Sequence, residues 1–231
     1  MMKKSRIATL LVFFLLIPAT LYLGEMLPGR TYYITGTLII LELMIPFFMA
    51  FEGRKPQARE LVIIAVLSAM AIAGRVAIPI SDFKAIFAII MLAGIAFGPE
   101  TGFMVGAIAA FGSNFFYGQG AYTPWQMFSY GTGGMLAGFV FGKGRLPRKP
   151  WLMAIFGFVT VVLVVGPILD SMTFFLGFAK LSWEGIALVY TPGLLHNCLN
   201  GVCTAAVMLI FGKPFLGILN RIQVKYGMYG S

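Results

Sequence analysis

Long apolar runs separated by short polar segments repeat along the whole chain. A helix that crosses a bilayer requires about 20 apolar residues, and eight runs match or approach that length. They cover residues 7–24, 32–51, 61–80, 85–98, 101–117, 125–142, 151–169 and 185–212. The ten-residue alternation typical of membrane β-barrels is missing from the sequence. The pattern therefore predicts an all-α integral membrane protein, a polytopic helical bundle.

The composition supports a chain that lies in a lipid bilayer. Of its 231 residues, 59% are hydrophobic and 11% are charged, whereas soluble domains have about 25% charged residues. The polar segments are too short to hold a soluble catalytic or nucleic-acid-binding domain. Nucleic acid is therefore excluded as a partner, and the net charge of +9 requires an explanation in terms of the membrane.

Most basic residues fall in loops on one side of the bundle. If both termini share a side, 13 of the 17 lysines and arginines lie on it: Lys3, Lys4, Arg6, Arg54, Lys55, Arg59, Lys143, Arg145, Arg148, Lys149, Lys213, Arg221 and Lys225. Loops rich in Lys and Arg stay in the cytoplasm. We therefore predict a multi-pass protein of the cell membrane with both termini cytoplasmic. Eight spans, or six with two re-entrant segments, satisfy the same charges.

A stripe of small residues follows the third apolar run. Ala65, Ala69, Ala73 and Ala77 recur every four residues, so they lie on one face of a helix. In lipid, small residues promote helix association because they allow backbones to approach closely. The stripe therefore predicts a docking surface, which either packs against this chain's own helices or meets another membrane subunit.

Two ionisable residues lie inside apolar runs, Glu42 in the second and Arg75 in the outer half of the third. A lone charge in the bilayer is costly, so each is expected to have a partner or to face a water-filled cavity. The sequence allows two interpretations. The two residues form an ion pair that joins the N-terminal helices to the rest, or Arg75 contacts a ligand or takes part in a proton relay.

The segment between the fifth and sixth runs concentrates amide, hydroxyl and aromatic groups around glycines. Its candidate ligand contacts are Asn114, Tyr117, Gln119, Tyr122, Trp125 and Gln126. Such groups suit a flat polar ligand, although tyrosine and tryptophan also collect at the membrane surface without one. The amides of Asn114 and Gln126 require partners once they leave water, which favours a polar cavity.

The last apolar run carries a second polar cluster, made of Tyr190, His196, Asn197 and Asn200. His196 and Asn200 are four residues apart and share a helix face, and Pro192 is expected to break the helix nearby. A ligand-lined cavity would account for the cluster, and hydrogen bonds between helices are the alternative. A single histidine without a second ligating residue at suitable spacing predicts no metal site.

Several classes of function are excluded by motifs that the sequence lacks. The glycines around Lys143 do not have the spacing of a phosphate-binding loop, and no Ser or Thr follows the lysine. Motifs of intramembrane proteases and acyl hydrolases are missing, as are voltage-sensor and ion-filter patterns. We therefore predict that the chain is not an enzyme, has no catalytic residues and binds no cofactor itself.

The residues from Ala58 to Lys143 resemble a known family. The stretches ARELVIIAVLSAMAIAGRVA, FKAIFAIIMLAGIAFGPETGFMVGA, SNFFYGQG and TPWQMF are similar to the substrate-binding S components of energy-coupling factor (ECF) type ABC transporters. The resemblance implies a six-helix S-component core at 58–231. The preceding transmembrane helix pair at 1–57 is similar to an N-terminal extension found in one branch of the family.

This resemblance also implies a function and partners. S components capture a vitamin or metal outside and deliver it inwards when docked on a transmembrane T subunit, while two cytosolic ATPase subunits hydrolyse ATP. The alanine stripe matches the family's docking motif. The most similar branch is cobalamin-specific, so cobalamin is the expected ligand, and another vitamin or a nucleobase-like precursor is the alternative. Nickel and cobalt are disfavoured because the N-terminus has no histidine-rich loop.

Two functions of other classes remain as alternatives. A stand-alone secondary carrier would require a coupling site, for which Glu42 with Arg75 is the candidate. Neutralising Glu42 would then abolish pH-driven uptake without any partner protein. A membrane enzyme with a buried histidine would instead turn over a lipid or an isoprenoid.

Overall fold

A computed structural model describes residues 10–26, 32–53, 56–77, 84–177 and 182–227, which form eight long helices and no strand. Helix α1 comprises a π-helical turn, Val12–Leu16, and the α-helix Ile17–Met26. The next five are α2 (Tyr32–Gly53), α3 (Ala58–Val76), α4 (Ile86–Phe97), α5 (Pro99–Tyr117) and α6 (Thr123–Phe141). Helix α7 joins Pro150–Thr160, a π-helical turn at Val161–Val165 and Gly166–Gly177, and α8 is Trp183–Lys225. The predicted all-α fold is confirmed.

The surface of the bundle is apolar enough for lipid. Among the described residues, three helices are long and apolar enough to cross a membrane: Ile34–Gly53, Pro150–Leu176 and Trp183–Lys225. Large apolar side chains such as Phe14 and Leu188 point outwards with 77% and 69% of their surface exposed. Soluble monomers rarely expose such a continuous apolar surface. The chain is therefore a membrane protein whose outer face contacts lipid.

The loops that decide the sidedness lie largely outside the described residues. They include 1–9, 27–31, 54–55, 78–83 and 178–181, so the cytoplasmic location of the termini stays a prediction.

The two ends of the bundle differ in the connections that they carry, and each takes its name from one of them. The α5–α6 end carries the loop at 118–122, and the Gly98 end carries the turn between α4 and α5.

Helix α4 is the centre of the core. Nine of its 12 residues are buried, and it contacts α3, α5, α6 and α8. A helix that is apolar all round is normally surrounded by protein or lipid, and here the neighbours are other helices. With 12 residues, it is also the shortest of the described helices.

Helices α5 and α6 cross at glycines. A Cβ atom on Gly106 would lie 2.5 Å from the carbonyl carbon of Tyr130 and 2.6 Å from the nitrogen of Gly131. A Cβ atom on Gly102 would lie 2.7 Å from the carbonyl carbon of Gly134. Because these neighbours are backbone atoms, only glycine permits this approach. The close packing supplies the dispersion contacts that hold helices together in lipid.

The predicted end of the last helix is wrong. Helix α8 does not stop near residue 212 or break at Pro192, but continues for 43 residues through Pro192 and Pro214 to Lys225. Hydrogen bonds to neighbouring helices hold the end of the extension. Gln223 donates a hydrogen bond to the carbonyl of Ala96 at 2.7 Å, at the Gly98 end. Prolines are tolerated in membrane helices where neighbours satisfy the freed backbone groups.

The N-terminal helix pair packs on the core through aromatic rings. Phe47 of α2 stacks on Phe103 of α5 with ring centroids 4.5 Å apart. Trp125 of α6 lies against Gly36 of α2 and contacts Phe175 of α7, with ring centroids 5.6 Å apart. The described part of the pair is thus anchored to α5, α6 and α7, and the domain boundary at residue 57 stays a prediction.

The predicted ion pair between Glu42 and Arg75 is wrong. Glu42 accepts a hydrogen bond from Thr20 of α1 at 2.5 Å between the two oxygens. Arg75 instead donates to Ser113 and Asn114 of α5. Each charge is therefore held by neutral polar groups on its own neighbouring helix.

The glycine crossing can be tested by adding a methyl group. We expect Gly106→Ala to lower the free energy of unfolding by about 1 to 3 kcal/mol, since the backbone of Tyr130 blocks the new Cβ. Gly217→Ala is the matched control, because Gly217 lies in α8 with nothing within 4 Å of its Cβ position. Thermal unfolding in detergent measures both variants. A Gly106→Ala variant as stable as the Gly217→Ala control would show that the crossing relaxes freely.

Candidate functional site

A cavity of about 120 Å³ opens between the helices at the α5–α6 end. Its walls combine apolar side chains with charged and amide groups: Arg75 of α3, Lys84, Phe87 of α4, Gln126 and Tyr130 of α6, Val161, Val165, Gly166 and Leu169 of α7, and His196, Asn197 and Asn200 of α8. Concave apolar sites with a few convergent polar groups are typical of small-molecule binding. This cavity is therefore the candidate ligand site.

Arg75 brings a buried positive charge to the cavity wall, with only 7% of its surface exposed. Its Nη1 donates hydrogen bonds to Ser113 Oγ at 2.5 Å and Asn114 Oδ1 at 3.0 Å. The guanidinium carbon lies 4.8 Å from the ring centroid of Tyr117 and 5.7 Å from that of Tyr130. These partners are all neutral, and Nε has no hydrogen-bond partner.

Asn114 connects Arg75 to the start of α6 and the loop before it. Its Nδ2 donates to Gln126 Oε1 at 2.8 Å and to Thr123 Oγ1 at 3.2 Å. The Thr123 hydroxyl in turn donates to Gln119 Oε1 at 2.9 Å. A chain of polar groups therefore runs from the cavity wall into the 118–122 loop.

Tyr117, the last residue of α5, joins the start of this loop to α3. Tyr117 donates from its hydroxyl to the carbonyl of Arg75 at 3.0 Å, and its ring lies 5.2 Å from the Lys84 ammonium. Tyr122 donates to the carbonyl of Gly118 within the loop. The loop is thereby positioned at the end of α3, next to the cavity.

The opposite wall depends on the π-helical turn of α7. Ser129 of α6 donates to the carbonyl of Val165 at 2.8 Å, within that turn. The next residue is Gly166, where a Cβ atom would overlap the side chain of Asn197. Asn197 fits into this gap and donates to Asp170 Oδ2 at 2.7 Å. Turns of this kind are frequent at functional sites, and here the turn makes room for an amide from α8.

The structure separates the eleven predicted ligand residues into three groups. Arg75, Gln126, His196, Asn197 and Asn200 line the cavity. Asn114, Tyr117, Gln119 and Tyr122 belong to the hydrogen-bonded network beside it. Trp125 and Tyr190 do not line it: Trp125 packs towards α2 and α7, and Tyr190 donates to the carbonyl of Pro167 at 3.5 Å. A ligand contact by any of them stays a prediction.

Several lining residues were missed in the sequence. Tyr130 lies four positions after Gln126, so the shared helix face could have revealed it. Lys84, Phe87 and the α7 side chains gave no comparable signal, because only the fold brings them to the cavity. The predicted run 151–169 ends just before Asp170, but α7 continues past it to Gly177.

The alanine stripe lies on the outside of the bundle. Ala65, Ala69, Ala73 and Ala77 are all exposed, whereas the opposite face of α3 is buried through Ile64, Leu67, Ser68, Ala71 and Arg75. Packing of the stripe against this chain's own described helices, one of the two predictions, is therefore wrong. The same helix presents Arg75 to the cavity and small residues to the outside.

Comparison with protein families identifies the family of this chain. The model of the ECF transporter substrate-specific component family matches residues 59–212, which is more than half of the chain. The chain belongs to this family. No curated protein and no solved structure matched it. S components are substrate-binding subunits of transporters rather than enzymes, and they associate with a T subunit and ATPase subunits.

In this S component, the described residues contain no group of three or more His, Cys, Asp or Glu side chains that could hold a metal ion. The polar groups of the cavity are instead amides, a guanidinium, an ammonium and an imidazole. Such groups can form hydrogen bonds and charge interactions with a bound molecule.

The network around Asn114 can be tested by removing its amide. We expect Asn114→Ala to cost about 1 to 3 kcal/mol of stability, because the buried groups of Gln126 and Arg75 lose a partner. Gln57→Ala is the control, since Gln57 is exposed, makes no side-chain capping hydrogen bond and lies outside this network, and surface substitutions usually change stability by less than about 0.5 kcal/mol. Thermal unfolding in detergent compares the two. Equal stability of both variants would contradict a buried role for Asn114.

Proposed function

We propose that this S component captures a small vitamin-like molecule in the cavity at the α5–α6 end and delivers it to the cytoplasm after docking on the T subunit. The observation that carries the proposal is the arrangement of α3. Its buried face ends in Arg75 at the cavity, and its exposed face carries the alanine stripe. One helix thus joins a ligand site to a surface suited to close contact with another membrane helix.

The size of the cavity bears on the identity of the ligand. Pockets for drug-sized ligands measure about 300 to 1,000 Å³, and this cavity measures about 120 Å³. A corrin ring with its amide side chains would require the helices around it to separate widely. The geometry therefore favours a vitamin or nucleobase-like precursor smaller than cobalamin, and cobalamin stays a prediction from the family resemblance.

The carrier hypothesis loses its candidate coupling site. It required Glu42 and Arg75 to act together, but Glu42 is bonded to Thr20 of α1 and Arg75 to α5. We therefore favour uptake driven by partner ATPases over a stand-alone carrier.

Ligand binding by the purified chain tests the proposal. We expect calorimetry in detergent, on protein prepared without added vitamin, to show binding of one member of a panel made of riboflavin, folate, a queuosine precursor and cobalamin. A smaller member should bind more tightly than cobalamin, because the cavity is small. Tight binding of cobalamin alone would restore the corrin assignment and require the cavity to open.

Docking is tested by enlarging the stripe. We expect the double variant Ala69→Leu with Ala73→Leu to reduce uptake by about tenfold or more, since steric overlap of 1 to 3 kcal/mol at a close interface changes affinity by that order. Co-purification with the T subunit should fall equally, while ligand binding by the isolated chain persists.

The matched control is Ala187→Leu, an exposed alanine of α8 outside the stripe. It should leave uptake and co-purification unchanged. Normal assembly of the stripe variant, in protein that folds and binds ligand, would show that docking uses another surface.

A further inference from the structure

We infer that the molecule bound in this cavity is an organic anion whose carboxylate pairs with the guanidinium of Arg75. The inference rests on the proposed function, because it assumes that the cavity is the substrate site. It concerns the chemical class of the substrate, which family membership leaves open.

The first step is the charge of Arg75 itself. Removing a guanidinium from water is costly unless a counter-charge or a full set of hydrogen bonds replaces the water. Here Nη1 is bonded to a hydroxyl and an amide oxygen, and two tyrosine rings face the group. The last turn of α3 adds a favourable helix dipole. These contacts stabilise the charge without neutralising it.

The second step concerns Nε, the guanidinium nitrogen that these contacts leave without a partner. Nε is buried and has no hydrogen-bond partner, although Arg75 lines the cavity. A buried N–H without a partner costs free energy comparable to that of a lost hydrogen bond. An acceptor supplied by a ligand would satisfy it.

The third step is the balance of charge around the cavity. The described lining residues include two cationic side chains, Arg75 and Lys84, and no carboxylate. The nearest acid on the α7 side, Asp170, is outside the lining and accepts a hydrogen bond from Asn197. His196 and Asn197 line the wall on that side, and Asp170 interacts with both of them from outside the lining. Among the described lining residues, the charged side chains are therefore cationic.

The fourth step is the kind of anion. A guanidinium edge pairs with a planar carboxylate through parallel hydrogen bonds. The guanidinium has one buried N–H without a partner, which suits a planar carboxylate better than the several oxygens of a doubly charged phosphate ester. The amides of Gln126, Asn197 and Asn200 can bind the remaining polar atoms of a small carboxylic acid. We therefore assign a monocarboxylate to this site.

Matched pairs of acids and neutral amides test the inference. The probes are nicotinate with nicotinamide, biotin with biotinamide, and lipoate with lipoamide, measured by calorimetry on the full chain in detergent. We expect at least one acid to bind and its amide to bind on the order of a hundredfold more weakly, as found when one partner of a buried charge pair is removed.

Variants of Arg75 assign the effect to this residue. Arg75→Gln should weaken binding of the acid by a similar factor and weaken binding of its amide far less, while Arg75→Lys, which keeps the charge, should retain part of the affinity. Thermal unfolding shows whether each variant is folded. The comparison of acid and amide on the unmodified chain needs no variant, so it holds even if Arg75→Gln does not fold.

Three results would overturn the inference: an amide that binds as tightly as its acid, an unchanged affinity of folded Arg75→Gln for the acid, or no binding of any acid. Tight binding of a neutral vitamin such as riboflavin would overturn it while leaving the proposed function intact. Loss of the proposed function itself is recognised separately, because the chain would then bind no vitamin and would not co-purify with the T subunit.

Discussion

A guanidinium buried between apolar helices must be solvated by the protein, and this requirement organises the α5–α6 end of the molecule. Arg75 donates hydrogen bonds to Ser113 and Asn114, and Asn114 in turn donates one to Gln126 at the start of α6. Each of these groups is buried or half-buried, so each needs the others as partners. The charge thereby fixes the relative positions of α3, α5 and α6 at the mouth of the cavity.

That network can form only because the helices are close together. The glycines of α5 and α6, including Gly106 and Gly134, bring the backbones into direct contact. The buried α4 fills the space beside them. Small residues thus do two different things in this chain. Inside the bundle they permit the packing that positions polar side chains, and on the outer face of α3 they leave a smooth exposed surface.

Hydrophobic periodicity was sufficient to predict eight helices, because each apolar run must satisfy its own backbone hydrogen bonds in lipid. It also revealed the polar residues that require partners. It could not give their partners, which depend on how the helices rotate against one another. Glu42 meets Thr20 rather than Arg75, and Trp125 turns towards α2 rather than the cavity. Pro192 lies inside α8 without ending it, which shows that a proline in an apolar run does not by itself predict a helix end.

The two faces of α3 place a physical limit on how ligand binding and docking can be linked. A ligand affects docking only if it interacts differently with the docked and undocked states. Arg75 and Ala73 lie in the last turns of the same helix, and Tyr117 ties the 118–122 loop to the backbone at Arg75. A ligand that bonds to Arg75 therefore acts on the helix end and on the loop together. Because that helix end also carries part of the exposed stripe, linkage between the two sites needs no path through the rest of the bundle.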